Sequence, residues 1–218
     1  REKKLAEKLS VPNVILCANG TLALLNALLA SVTEPGEVIT TPFTFAATTN
    51  AIISAGHKVV FADIDPETMN LCPDRVRQKI NKKTVAILPV HSYGNLCNIV
   101  EFESLEQEYG VPVIYDASHC FGISDSLGSV LRHGKVSTLS LHATKAFNSI
   151  EGGAIVTHDD SIAERARLLV NFGVNDDKKI IFSGLNSKMS ELHAAVGLLN
   201  LDTCDQYNEK RKQLFYCY

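Results

Sequence analysis

An α/β fold, with a mostly parallel sheet and helices on both of its faces, is what the 218-residue sequence predicts. Two observations carry that expectation. Short runs rich in Val, Ile and Leu alternate with helix-like stretches along nearly the whole chain, and seven such runs are found. The residues able to do chemistry gather at the ends of those runs: Gly20-Thr21, Asp116, Ser140 and Lys145 all lie at or just beyond the end of a strand. A parallel sheet aligns its carboxyl ends, so groups far apart in sequence can converge at one edge. The length is enough to bury a real core, as one sizeable domain or two small ones.

The chain opens on REKKLAEKLS, with Leu5 and Leu9 four apart as on one helical face. Val14 to Ala18 is the first strand, and Leu22 to Ala30, apolar on every side, is a buried helix that Gly20-Thr21 opens. Free backbone N–H groups and the positive end of the helix dipole meet there, which suits a phosphate, although an ordinary helix start reads the same. Glu37 to Thr41 is the second strand. Thr44 to Ile52 is a helix closed by Gly56, in which pattern alone makes Phe45 a core residue. Lys58 to Ala62 is the third strand. The acidic Asp63-Ile64-Asp65-Pro66 after it lacks the spacing of a calcium loop and is a turn.

Pro73, Val76 and Ile80 mark a short helix, and Val85 to Val90 is the fourth strand, ending at His91, which suits a site or a structural role equally. Ile99 to Tyr109 places Phe102, Leu105 and Tyr109 on one face and stops at Gly110. Val111 to Tyr115 is a buried strand that delivers Asp116, Ser118 and His119 to the shared edge, although an acid after a strand is also a common helix cap. Ser161 to Glu164 has the form of a capping box for a helix running towards Asn171.

Between these lies KVSTLSLHATKAFNSIEGGAIVT, residues 135–157. Val136 to Leu141 alternates apolar and hydroxyl residues as a half-buried strand does, Glu151-Gly152-Gly153 is a turn, and Ala154 to Val156 begins the last strand. Lys145 therefore sits in a connecting loop. A lysine desolvated there can lose its proton near neutral pH and attack a carbonyl; a solvated one, with a pKa of about 10.4, cannot. On spacing alone a solvated surface charge is the commoner outcome, Ser140 fits a plain strand-facing hydroxyl, and His142 is structural.

Ser-Leu-His-Ala-Thr-Lys followed by Glu-Gly-Gly resembles the cofactor-anchoring segment of the DegT/DnrJ/EryC1/StrS family, sugar aminotransferases that use pyridoxal 5'-phosphate (PLP). ANGTLALLNAL, TPFTFAATTNAI, FADIDPETMNL, PVHSYG, YDASHCFG and NSKMSELHAA resemble other family stretches and follow the family order. The resemblance implies one domain over residues 1–218: the large domain of a fold-type I PLP-dependent transferase, lacking the extreme N-terminus and the small C-terminal domain. It implies that Lys145 holds PLP covalently and serves as nucleophile and base, and that Asp116 pairs with the pyridine nitrogen. Phe45 would lie flat on the ring, His119 beside its phenolic oxygen, and Gly20, Thr21 and Ser140 around the phosphate. Lys188, where Arg or Asn is common, would reach that phosphate across a homodimer interface; an exposed helix-start lysine is the alternative. Ser118 replaces the commoner Ala.

By the same resemblance the reaction moves an amino group from an amino acid, L-glutamate, to a nucleotide-linked keto-sugar. Relatives with histidine in place of the lysine act as dehydratases, and Lys145 favours transamination over that branch. A non-catalytic or regulatory relative that keeps the fold is the other alternative. Composition narrows the field further. A net charge of −3 without a Lys/Arg run argues against nucleic-acid binding. Nothing in it reads as a signal peptide or as an apolar span long enough for a membrane. Six scattered cysteines without a C-x-x-C pair read as reduced thiols of a cytoplasmic protein. No metal is expected, because His91, His119 and His142 show no ligand spacing on one element.

Overall fold

Each of the seven apolar runs forms a strand in the computed structural model, which describes residues 2–217. They are β1 (Asn13–Cys17), β2 (Glu37–Thr40), β3 (Lys58–Phe61), β4 (Thr84–Leu88), β5 (Ile114–Asp116) and, after a small hairpin of β6 (Ser124–Asp125) and β7 (Gly128–Ser129), β8 (Val136–Ser140) and β9 (Gly153–Thr157). Two ladders, β1-β9-β8-β5 and β3-β2-β4, are joined by parallel bridges from Ile87 to Val113 and from Val90 to Asp116. The result is one seven-stranded surface in the order β1-β9-β8-β5-β4-β2-β3. Only β9 runs against its neighbours β1 and β8; every other pairing is parallel. The carboxyl ends of β1, β2, β4, β5 and β8 therefore share one edge. The hairpin escapes a reading by periodicity because two-residue strands have no period to show.

Among the described residues seven α-helices pack around the sheet: α1 (Glu2–Leu9), α2 (Gly20–Ser31), α3 (Ala46–Ser54), α4 (Pro73–Arg77), α5 (Ile99–Tyr109), α6 (Asp160–Val170) and α7 (Glu191–Phe215). On one face Leu24 and Leu28 of α2, Ile52 of α3 and Leu169 of α6 pack on Ile15, Val38, Leu88, Ile114 and Ile155. On the other, Val76 of α4 with Phe102 and Leu105 of α5 meets Ile39, Ile87 and Tyr115. Leu5 and Leu9 of α1 and Cys204 of α7 meet Val14, Leu139 and Val156 there as well. Consecutive residues such as Val38 and Ile39 join opposite clusters because strand side chains alternate. Full burial of each such side chain is worth about 1.5–3 kcal/mol, which fixes the register and hence which residues reach the edge.

Two details refine the expectations. Gly110 ends α5 in the left-handed region (φ 66°) with its N–H donating to the Glu106 carbonyl, as a C-terminal glycine does. The cap of α6 is Asp159 and not Ser161: the Asp159 carboxylate accepts from the Ser161 and Ile162 amides and from the Ser161 hydroxyl. A carboxylate at the positive end of the dipole outcompetes a hydroxyl two residues later.

Candidate active site

Where β1 leaves the sheet, Asn19 adopts an extended backbone and its Oδ1 accepts from the Leu22 amide at 2.9 Å. That cap leaves the Gly20 and Thr21 N–H groups at the start of α2 without an intrahelical acceptor. Gly20 is glycine because a Cβ there would stand 3.0 Å from the Ser140 Cβ, so the end of β8 presses directly against the helix start. Gly153 is needed for a similar reason: its Cβ would collide with the Asn19 carbonyl. The Gly152-Gly153 pair is thus a close-approach device, and the turn expected there is made instead at Ile150, whose φ is 68°.

Asp116, at the end of β5, is 5 % exposed. Its Oδ2 accepts from the Thr48 hydroxyl at 2.9 Å, and its Oδ1 accepts from the Ser118 hydroxyl at 2.6 Å and the Ser118 amide at 3.2 Å. The Thr48 hydroxyl also lies 2.7 Å from that of Thr44. Every partner is a donor, so the carboxylate is held in a fixed direction. The hydroxyl that distinguishes Ser118 from alanine is one of those donors. Thr48, one turn into α3, is a partner that no sequence pattern announced.

Lys145 occupies the loop that turns β8 back into antiparallel β9. Leu141 N to Gly152 O (2.8 Å), Ala143 N to Ile150 O (2.7 Å) and Ser149 N to Leu141 O (2.9 Å) brace that loop, and Lys145 N donates to His142 O. Burial pushes the Lys145 amine below its ordinary value, and the Asp116 charge pulls the other way. His119 is likewise lowered by burial and by Lys145, against the pull of Asp116. His142 accepts from the Thr144 amide and faces Glu151 at 3.6 Å. His91, 1 % exposed, accepts from the Cys97 amide at 3.0 Å, stacks on Tyr115 and reaches the wall of the cavity at this edge.

A cavity of about 700 Å³ joins these ends. Gly20, Thr21, Phe45, Asp116, His119, Ser140 and Lys145 all line it, so seven of the eight residues singled out from the sequence come together. Phe45, expected from pattern to be core, is 81 % exposed at the cap of α3. Lys188 does not line the cavity of its own chain: its backbone bridges to Cys17, and its amine donates to Asn171 Oδ1 at 2.8 Å beside the Phe172 ring. Phe43, Tyr93 and Glu151 are lining residues that the sequence reading passed over. Their position after a strand or beside Lys145 was the available signal. Among the described residues no group of three or more His, Cys, Asp or Glu side chains could hold a metal ion.

The edge suits a flat, phosphorylated heterocycle: helix-start amides and the Ser140 hydroxyl at one place, an anchored carboxylate at another, and an amine on the same cavity wall. This is the α/β fold of the PLP-dependent aminotransferases. The chain belongs to the DegT/DnrJ/EryC1/StrS aminotransferase family, whose profile matches residues 2–218. It is 48 % identical over 217 residues to the dTDP-4-amino-4,6-dideoxy-D-glucose transaminase of Shigella dysenteriae, covering 99 % of this chain and 59 % of that protein. DesI, solved in the presence of its TDP-sugar product, superposes with a TM-score of 0.87 at 37 % identity, over 94 % of this chain and 52 % of that one. NtdA of Bacillus subtilis, solved with bound cofactor PMP, superposes with a TM-score of 0.86 at 34 % identity, over 92 % and 46 %. The chain thus spans about half to three fifths of these proteins.

Proposed function

We propose that the protein is a PLP-dependent aminotransferase that moves an amino group from L-glutamate to a keto-sugar carried on a nucleoside diphosphate, the amino acid leaving as its 2-oxo acid. The observation that carries this reading is the convergence of Lys145 and the anchored Asp116 carboxylate on one cavity whose wall is the start of α2. The names of the similar transaminase and of the sugar-bound and PMP-bound structures support the substrate and cofactor classes. When bound, PLP supplies a reactive aldehyde and a ring that accepts electrons.

The chain's own groups divide the remaining work. The Gly20 and Thr21 amides and the Ser140 hydroxyl receive the phosphate, where the dipole of α2 favours negative charge. Asp116, held by Thr48 and Ser118, would hold a proton on the cofactor's ring nitrogen. Lys145 Nζ, its proton affinity lowered by burial, would hold the cofactor through its aldehyde and, when free, would take and return the proton at the reacting carbon. Phe45 would offer its face to the cofactor ring, and His119, whose proton affinity burial and Lys145 lower, would sit beside the ring oxygen. Lys188 serves the phosphate of a second copy of the chain. All six cysteines are free, which fits a reducing cytoplasm.

The full-length protein loaded with PLP is expected to convert dTDP-4-amino-4,6-dideoxy-D-glucose and 2-oxoglutarate to the keto-sugar nucleotide and glutamate, read by chromatography. Lys145→Ala should lower turnover by at least about a thousandfold, since base and nucleophile are lost together. Full PLP binding without transfer from any amine donor would favour the non-catalytic alternative.

A further inference from the structure

Tyr93 lines the cavity, and the proposed reaction gives it no task. It lies in the turn Ser92–Gly94 beyond β4 with a left-handed backbone, φ 55° and ψ 19°, a conformation that bulky L residues adopt only under constraint. The constraint is visible. Asn70, 2 % exposed, accepts from the Ser92 amide at 2.9 Å and donates to the Asn95 carbonyl at 3.1 Å, while the Ser92 hydroxyl donates to the Met69 carbonyl. Yet the side chain that this bracing presents is 78 % exposed, so core packing does not account for it. The ring runs parallel to His119, 6.0 Å away at 5°, and edge-on to Phe43 at 6.2 Å and 63°. A strained backbone maintained around an exposed aromatic at a cavity rim points to a ligand.

Tyr93 also lines a second, smaller cavity of about 270 Å³ on which Lys145 and His119 again open, now with Phe121. That is below the roughly 300–1,000 Å³ of pockets that enclose a drug-sized molecule, so it holds a single ring and not a whole nucleotide. Among the described residues Lys145, which the proposed reaction needs at the reacting carbon, is its only cationic wall, so no second cation is there to seat a pyrophosphate. The exposed Tyr93 ring with the neutral polar groups of Ser118 and Thr144 suits a polyhydroxylated ring, whose C–H face packs on an aromatic and whose hydroxyls need neutral partners.

Resting on the function proposed above, we propose that this smaller cavity seats the sugar ring of the nucleotide-linked substrate, and that Tyr93 is the specificity-determining wall on which that ring stacks. The nucleotide lies outside it, and the sugar carbon that exchanges its amino group faces Lys145. Tyr93 then discriminates the sugar from the amino-acid donor, which shares Lys145 but not this surface.

The test compares the two amine half-reactions in the full-length PLP-loaded protein, with L-glutamate and with dTDP-4-amino-4,6-dideoxy-D-glucose as probes. Tyr93→Asn removes the ring while keeping a residue that tolerates the left-handed turn; Tyr93→Phe keeps the ring. Tyr93→Asn is expected to raise the half-saturating concentration of the nucleotide sugar about tenfold and that of glutamate less than threefold, with Tyr93→Phe close to wild type for both. An equal change for both probes would make Tyr93 a support for His119 or the cofactor and overturn the assignment, as would no change for either. A wild-type protein inert to both amines would instead remove the function on which the inference rests, and the inference with it.

Discussion

Lys145 shows most directly how a single side chain takes its chemistry from its surroundings. Burial lowers its proton affinity, and Asp116 partly restores it, so the sign of each perturbation is separable. Its labelling by a small amine-reactive reagent in the PLP-free protein should rise with pH around a midpoint below the ordinary 10.5. Asp116→Asn removes the opposing pull and should move that midpoint lower still, whereas a midpoint at or above 10.5 would describe a fully solvated amine. Peptide mapping after labelling at a series of pH values gives both curves. At this scale the sequence was legible for types and positions, and much less so for partners. That Asp116 follows a strand could be read; that Thr48 from α3 would hold it could not, because the contact spans 68 residues and depends on how α3 packs. Ser118 looked like a harmless replacement for alanine and proves to be a donor at 2.6 Å.

At the scale of elements, β9 decides the site. Because it runs antiparallel to β8 and to β1, residues 141–152 must reverse direction at the sheet edge, and Gly153 must pass against the backbone of Asn19. Gly153→Ala is therefore expected to cost about 1–3 kcal/mol of stability by overpacking and to loosen PLP retention by displacing the start of α2. Gly110→Ala supplies the contrast: a Cβ there meets open space at φ 66°, so it should cost about 1 kcal/mol and leave PLP retention as it was. Denaturant titration and equilibrium dialysis of PLP check the pair. All seven sheet strands and the span of α5 were legible because apolar period and glycine stops are local signals. The purpose of the Gly152-Gly153 pair was not, since the close approach of Gly153 to the start of α2 is a tertiary fact that sequence presents in the same letters as a turn.

For the whole molecule, the shared edge of the sheet makes the site, and the covered faces make its stability sensitive to acid. His91 is buried against Tyr115 with its folded pKa depressed to about 4, by burial first and His133 second, from an ordinary 6.5. The unfolded chain therefore takes up a proton before the folded one, so the stability His91 contributes is complete above about 6.5 and falls as the pH drops towards 4. Wild type should lose about 3 kcal/mol more than His91→Asn between pH 7 and 4, Asn keeping an acceptor for the Cys97 amide; urea midpoints at the two pH values measure this. Convergence of seven of the eight candidate residues was legible because a parallel sheet leaves few alternatives once the strand ends are known. Lys188 was not placed within the chain's own cavity, and its proposed role belongs to a second copy.

The central claim, that the Lys145 amine is the covalent anchor of PLP, is met most directly by borohydride reduction of the PLP-loaded protein followed by peptide mass mapping. A pyridoxyl group fixed on Lys145, and absent from the Lys145→Ala protein, is the expected result. A label on another lysine, or one that survives Lys145→Ala undiminished, would contradict it.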